Sequence, residues 1–234
     1  MFKKLENLNL SFDVDKQNLF NKYIELFIDY NDKVNLVSNN DVKVLFEKHI
    51  YDSLALNLFF QKYKMNENIK VLDIGTGGGF PSLPLALCFE KIHVSAVDSI
   101  NKKINFIKMV ATELNLLNIE PMCSRVEDLP EYKKKSFDVV TTRAMAELRE
   151  ILEYAIPYLK VGSYFVAFKS LKAEDELKNA VNALKTLNTV LVDKIEYTLP
   201  IEGENRRVLL VFKKTKDILP SFPRKNGLVK KKPL

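Results

Sequence analysis

The residues able to do chemistry gather in one stretch, Val71-Leu72-Asp73-Ile74-Gly75-Thr76-Gly77-Gly78-Gly79-Phe80-Pro81. A short apolar run ends in an acid, Asp73, a glycine-dense turn follows, and apolar residues then recur at Leu83, Leu85, Ala86, Leu87 and Phe89 with helical spacing. This order describes a buried strand, a loop whose amides cradle an anionic or polar ligand, and a helix starting just behind it. The chain holds only 7 glycines in 234 residues, and four of them lie between positions 75 and 79. Glycine is needed where backbone takes positive φ or approaches a ligand closely. A dinucleotide fingerprint would set a third glycine where Phe80 stands, which argues against a nicotinamide-dependent oxidoreductase.

The pattern Asp73-x-Gly75-x-Gly77-x-Gly79 resembles the first motif of S-adenosylmethionine-dependent methyltransferases. That ligand carries no phosphate but a carboxylate, an ammonium and a sulfonium, so an acid at the strand end can face its cationic part while loop amides face the rest. Ligands of open α/β sheets sit at the carboxyl ends of the strands, which makes the residues ending each strand the next to read. Asp98 closes Val94-Ser95-Ala96-Val97, 25 residues after Asp73. Its carboxylate can accept both ribose hydroxyls of an adenosyl group or cap the helix from Asn101, and both roles are compatible. Ser124-Arg125-Val126-Glu127-Asp128 follows the third strand and would flank the adenine ring. Thr142-Arg143-Ala144 follows the fourth, pointing Arg143 either at the meeting place of substrate and methyl group or into a surface ion pair.

Elements must hold these residues in place. Residues 1–12 read as an irregular lead-in. Phe20, Tyr23, Ile24, Phe27 and Ile28 form an amphipathic stripe over 14–30, Asn31–Asn40 is turn-rich, and a second helical region spans 41–63 with a break near His49–Ser53. From residue 70 strands are expected near 70–74, 92–97, 119–123, 137–141, 163–168, 190–198 and 206–213, with helices near 82–89, 101–115, 148–159 and 173–187. This alternation predicts a Rossmann-like, doubly wound, mostly parallel α/β sheet with an antiparallel last strand. The expected division is a helical cap over 1–64, the core over 65–214 and a basic tail over 215–234, with Pro220–Pro223 ending the compact part.

Composition sets bounds. Apolar residues make up 47% of the chain, enough for a sizeable core, and no apolar run approaches a membrane span. Without an apolar leader a cytoplasmic protein is expected. Cys88 and Cys123 lie in apolar elements, so buried free thiols are expected rather than a disulfide framework or a zinc site. From Lys213 onward stand eight Lys or Arg and one Asp, so the net charge of +6 belongs to the tail. Such a tail suits a polyanion such as RNA, or simple solvation. Lys102-Lys103 and Lys133-Lys134-Lys135 read as solvated surface.

Several blocks in order carry a narrower resemblance: Tyr30-Asn31-Asp32-Lys33-Val34-Asn35-Leu36, His49-Ile50-Tyr51-Asp52-Ser53-Leu54, Ile74-Gly75-Thr76-Gly77 with Phe80-Pro81 and Leu83-Pro84, Asp98-Ser99 with Lys102-Lys103, Ser124-Arg125-Val126-Glu127, Thr142-Arg143-Ala144, Ala167-Phe168-Lys169, and Phe222-Pro223-Arg224-Lys225-Asn226-Gly227 with the closing lysines. From about residue 20 to its end the chain resembles the bacterial small-subunit ribosomal RNA guanine-N7 methyltransferases, also called glucose-inhibited division protein B. Tyr30, Ser82 and Ser170 depart from that family's usual Trp, Gly and Gly. The resemblance implies cofactor contacts at Gly75, Phe80, Asp98, Val126, Glu127 and Arg143, in addition to Asp73, Gly77 and Gly79. It implies RNA-facing roles for Asn35, His49, Arg125, Arg143, Lys169 and Arg206, with Arg207 an equal candidate for the family arginine. His49 is one of two histidines and reads as a packed residue or one that positions substrate, not as a proton carrier.

The implied reaction needs no general base, because guanine N7 bears an in-plane lone pair and no proton. Positioning by Arg143, Lys169 and His49 would suffice. The fourth strand ends in Thr141-Thr142-Arg143-Ala144, not in the Asn/Asp-Pro-Pro-aromatic motif of many amine methylases, and neither cysteine sits in a pyrimidine-methylase motif. The expected partners are S-adenosylmethionine and 16S ribosomal RNA or the small subunit, with no membrane or metal and a monomer as the simplest state. A methyltransferase for another RNA, or a non-catalytic RNA- or ribosome-binding protein on the same fold, stays open. Mapping the methylated product separates these.

Overall fold

The computed structural model describes residues 1–234 apart from positions 66, 144, 171, 172, 204 and 226, so Ala144 and Asn226 of the quoted blocks lie outside the described residues. The chain opens with a 3-10 helix, Phe2–Leu8, that the lead-in reading missed; Leu5 and Leu8 are buried, and Phe2 meets Phe46 edge-on at 5.3 Å. Helix α1 (Val14–Val34) follows, capped by the Asp13 carboxylate on the Lys16 N–H at 2.8 Å. It buries Phe20, Tyr23 and Phe27 along the expected stripe. The region 41–63 is cut into α2 (Asn39–Val42), a π-helical turn (Phe46–Ile50), α3 (Tyr51–Leu54) and α4 (Leu56–Lys62). Such wide turns re-aim side chains and recur at functional sites; here the turn carries His49.

The sheet is built from β1 (Lys70–Ile74), β2 (His93–Asp98), β3 (Ile119–Cys123), β4 (Phe137–Arg143), β5 (Leu159–Ser170), β6 (Thr189–Thr198) and β7 (Arg206–Lys214). Helices α5 (Ser82–Cys88), α6 (Asn101–Glu113), α7 (Leu148–Ala155), α8 (Glu174–Asn179), α9 (Val181–Thr186) and α10 (Leu228–Lys231) lie among them. The strand order is β3-β2-β1-β4-β5-β7-β6, with β7 antiparallel to both neighbours and the other pairs parallel. The order runs outward from β1 through β2 to β3 on one side and from β4 on the other, which puts the strand-order reversal between β1 and β4. Helix α7 ends at Ala155 and not near 159, because Pro157 has no N–H to continue it. The helix expected over 173–187 is broken at Ala180.

One apolar cluster joins Leu5, Phe20, Phe27, Ile50 and Phe59 to Val71, Phe80, Leu83 and Phe106, so residues 1–64 share their core with one face of the sheet. The other face packs against α7, α9 and the tail. Three expectations are corrected here. The compact part continues past Pro223: Phe222 and Val229 are buried, and Arg224 donates from its backbone N–H, Nε and a terminal nitrogen to the fully buried Glu153 at 3.0, 2.7 and 2.6 Å. A four-residue helix and one ion pair leave no periodic trace in sequence. Cys123 is exposed, since it ends the edge strand β3, whereas Cys88 is partly buried. Nor are the lysine runs merely solvated: Lys133 pairs with Glu120 at 2.5 Å and Lys102 donates to the Val34 carbonyl at 3.2 Å.

Candidate active site

The glycine loop divides its work. The N–H groups of Gly75 and Thr76 donate to the Val97 carbonyl at 2.8 and 2.9 Å, tying the turn to the end of β2. Gly75 has φ +71°, and an added Cβ would lie 3.3 Å from Met145 Sδ. Gly77 donates its N–H to Asp98 Oδ2 at 3.0 Å. Gly79, at φ +87°, serves packing instead, because a Cβ there would stand 2.5 Å from Leu83 Cδ1. Asp73 is wholly buried behind the turn. Its Oδ2 accepts from Ser82 Oγ at 2.6 Å, its Oδ1 has no partner among the described residues, and burial pushes the carboxyl up to about 7 against the lowering pull of the Ser82 hydrogen bond.

Beyond the turn lies a cleft of about 450 Å³ between the carboxyl ends of β1, β2 and β3, walled by Gly75, Asp98, Val126, Glu127, Met145 and Tyr154. Asp98 is aimed by the Gly77 N–H on Oδ2, the Ile100 N–H on Oδ1 at 2.9 Å and Lys103 Nζ at 3.4 Å. Its capping and cleft-facing positions coexist, as the sequence allowed. Arg125 also lines the cleft, but its side chain is 69% exposed and 3.9 Å from Glu127 Oε1. Buried Tyr158 donates its hydroxyl to the Val126 carbonyl, fixing the loop from below. The cleft fits an adenosyl group: a carboxylate held at the end of β2, a glycine at the end of β1 against which Met145 packs closely, and the apolar Val126 in the same wall. A further cavity of about 340 Å³, reached by Lys70, His93 and Phe137, lies at the opposite ends of the strands, away from these groups.

A second cavity, of about 460 Å³, adjoins the cleft through Met145 and is lined by Lys48, His49, Arg143, Lys169 and Arg207. Arg143 is held on several sides: one terminal nitrogen donates to Asp52 Oδ2 at 3.0 Å and to the Lys48 carbonyl at 3.2 Å, the other to His49 Nδ1 at 2.6 Å. A guanidinium has no acceptor, so Nδ1 is the accepting nitrogen and Nε2 carries the proton. Burial first, then the Arg143 charge, lowers the imidazole to about 3, and His49 is neutral. Its ring and the guanidinium both cover Phe80, at 5.0 and 5.1 Å. Asp52 does not orient the His49 ring; it accepts from Arg143 and, on Oδ1, from Tyr197 at 2.5 Å. Ser53 donates to the His49 carbonyl at 2.6 Å. Lys169 donates to the Ala146 carbonyl at 3.1 Å and to Glu176 at 2.6 Å.

The structure thus brings His49, Arg143 and Lys169 together in one cavity and Gly75, Asp98, Arg125, Val126 and Glu127 in the other. Phe80 lies under the first group, while Asp73 and Gly79 lie behind the loop. Neighbouring strand residues face opposite ways, and it is Arg207 that lines the cavity, while Arg206 pairs with Glu196 at 2.6 Å on the exposed side. Asn35 ends α1 in the left-handed conformation and is exposed outside both cavities. Met145, Tyr154, Lys48, Glu176 and Tyr197 were missed. Met145 follows the quoted Thr142-Arg143-Ala144 block and was within reach; Tyr197 meets Asp52 across 145 positions and has no local signal.

Comparison with known proteins bears on the family and the fold. A family model described as rRNA small subunit methyltransferase G matches residues 16–200. "Ribosomal RNA small subunit methyltransferase G" of Lysinibacillus sphaericus (strain C3-41) is 39% identical over 217 residues, covering 92% of this chain and 90% of the relative. The protein of that name in Streptococcus suis (strain 05ZYH33) is 38% identical over 235 residues, covering 100% and 98%. A crystal structure of a SAM-dependent methyltransferase from Aquifex aeolicus superposes with a TM-score of 0.55 at 19% identity, covering 76% of this chain and 99% of that one, and speaks for the fold alone.

Proposed function

The chain belongs to the rRNA small subunit methyltransferase G family, and we propose that it transfers a methyl group from S-adenosylmethionine to N7 of a guanine in 16S ribosomal RNA of the small subunit. The observation that carries the reading is the junction at Met145, where a cleft walled by Asp98 meets a cavity lined by Lys48, Arg143, Lys169 and Arg207. The cofactor supplies an electrophilic methyl on a sulfonium. Asp98 would take the ribose hydroxyls, Val126 the adenine face, and Gly75 the close backbone approach. Arg125 at the rim, and Lys48 and Arg207 in the second cavity, would meet RNA phosphates, a sequence-independent attraction that anchors the target.

The chain's own groups then have one task at the reacting atom, which is to hold N7 in line with the methyl–sulfur bond. No proton has to leave. His49 Nδ1 is taken up by Arg143, both oxygens of Asp52 are bound, and Asp73 is sealed behind the loop. With these groups engaged, none of His49, Asp52 and Asp73 is offered as a base, which suits a nucleophile that needs none. Arg143 is a positioning residue in this scheme, fixing His49 and Phe80 as a flat wall. All of these residues come from one chain, so a monomer is sufficient, and the reaction belongs where ribosomal subunits are, in the cytoplasm. Among the described residues no helix is long and apolar enough to cross a membrane.

Labelled methyl transfer to small subunits lacking their N7-methylguanine tests the proposal, with Asp98→Ala and Arg143→Ala alongside. One N7-methylguanine, lost in both variants, is expected. Cofactor binding without transfer would replace the reading by a binding role.

A further inference from the structure

The proposed reaction leaves open what distinguishes guanine from adenine, since both purines carry an N7 lone pair. The difference begins beside N7, at position 6, and continues onto the Watson–Crick edge at N1. Guanine offers O6 as an acceptor beside N1–H as a donor, while adenine offers an amino donor beside a bare N1 acceptor. A reader of guanine must therefore set a donor next to an acceptor, in that order, with the donor beside the place of N7 because O6 is its neighbour.

The second cavity contains two carboxylates, Asp52 and Glu176. Asp52 is spent, with Oδ2 on Arg143 and Oδ1 on Tyr197. Glu176 differs. Its Oε2 accepts from the Leu148 N–H at 2.8 Å and from Lys169 Nζ at 2.6 Å, which fixes the carboxylate, and its side chain remains 33% exposed. Lys169 is 12% exposed and is itself aimed by the Ala146 carbonyl at 3.1 Å. Neither residue lines the cofactor cleft, but Lys169 is held by Ala146, next to Met145 where the cavity adjoins that cleft, so the ammonium stands on the side where N7 would meet the methyl donor. We infer that the Lys169–Glu176 pair reads the target base, the ammonium donating to guanine O6 and the free edge of the carboxylate accepting from N1–H.

Both contacts are charge-assisted, and adenine reverses both, setting its amino group against the ammonium and its bare N1 against the carboxylate. A fixed, charged pair left so mismatched discriminates against the wrong base. Glu176→Gln supplies the sharpest change. The amide oxygen keeps the place of Oε2, held by Leu148 and Lys169, and the NH2 group then presents a donor where guanine needs an acceptor.

The inference rests on the proposed function, and the test separates the two. Small subunits are reconstituted with guanine, hypoxanthine or adenine at the target position, and methyl transfer, the product and S-adenosylmethionine binding are measured. The wild type should methylate hypoxanthine, which keeps O6 and N1–H, within a few-fold of guanine and adenine roughly a hundred-fold more slowly. Glu176→Gln should slow transfer to guanine roughly ten- to a hundred-fold, shrink the guanine-to-adenine ratio, and leave cofactor affinity unchanged. Lys169→Met should shrink the same ratio from the other side, and carries the test if Glu176→Gln fails to fold. A ratio unchanged in both variants, or hypoxanthine rejected as firmly as adenine, would overturn the inference while leaving the methyltransferase reading intact. No N7-methylguanine from the wild type would sink both.

Discussion

Removing Arg143 should cost more than any contact it makes with substrate. Its guanidinium is 14% exposed and its partner Asp52 10% exposed. Arg143→Met strips Asp52 of its counter-ion and leaves Tyr197 as the donor remaining to it among the bonds described above. Breaking a buried pair from one side costs about 3–5 kcal/mol, because the surviving charge stays desolvated. In a chain of this size that corresponds to a fall in Tm of about 6–20 °C. Asp52→Asn should also destabilise, since it leaves the guanidinium short of charge. With Asn already at 52, however, Arg143→Met should cost only about 1–2 kcal/mol, the scale of lost neutral hydrogen bonds. The coupling in this double-mutant cycle should therefore reach about 2–3 kcal/mol. Urea unfolding of all four proteins, without cofactor so that ligand linkage does not enter, measures it. Costs additive to within about 0.5 kcal/mol would mean that the pair is solvent-screened, and the argument that Arg143 acts by fixing the wall would fall with it.

Asp98→Ala should weaken S-adenosylmethionine binding at least roughly ten-fold, because it loses the ribose acceptor and also frees the Gly77 and Ile100 amides; calorimetric titration reads it, and an unchanged Kd would place the ribose elsewhere. Asp73 supplies a pH dependence. Its folded carboxyl lies near 7, above the 3.8 of the free side chain, so the folded state holds the proton more tightly and stability falls as pH rises between those values, by about 4 kcal/mol at most. Asp73→Asn should remove that slope, gaining on the wild type at pH 8 relative to pH 5 in thermal melts; parallel curves would refute it. Arg224→Ala should destabilise by about 3–5 kcal/mol, since Glu153 is fully buried beneath it, and a Tm within 2–3 °C of wild type would show the tail to be undocked in solution.

The sheet was legible because each strand announces itself locally, by an apolar run and a chain reversal. The cofactor cleft was legible for a related reason: its residues end successive strands, and topology alone carries strand ends to one place. What could not be read were matters of face and of long reach. Arg206 and Arg207 are neighbours in sequence, and only the register of β7 against β5, with Arg207 opposite Ser170, turns the second inward. Gly79 looked like a ligand-facing glycine, yet the position of Leu83 one helical turn on makes it a packing residue. The tail was read by its charge, while its fate is decided by Phe222, Val229 and one buried carboxylate on α7.

The long-reach contacts also decide how substrate gains access. Asp52 stands on the helical segment 51–54, Arg143 at the end of β4 and Tyr197 near the end of β6, and the three are bound through one carboxylate. Phe27 and Phe80 pack at 5.3 Å on the same side. An N-terminal cap fastened by a buried ion pair and a shared aromatic core cannot serve as a lid without breaking both, at a cost comparable to the stability of a whole domain. Access to N7 must therefore come from the other wall, where Lys169, Glu176 and Arg207 border the cavity and α8 is a short six-residue helix with no buried residue. Opening there disturbs a surface segment instead of the core, and it exposes the pair assigned to reading the base first.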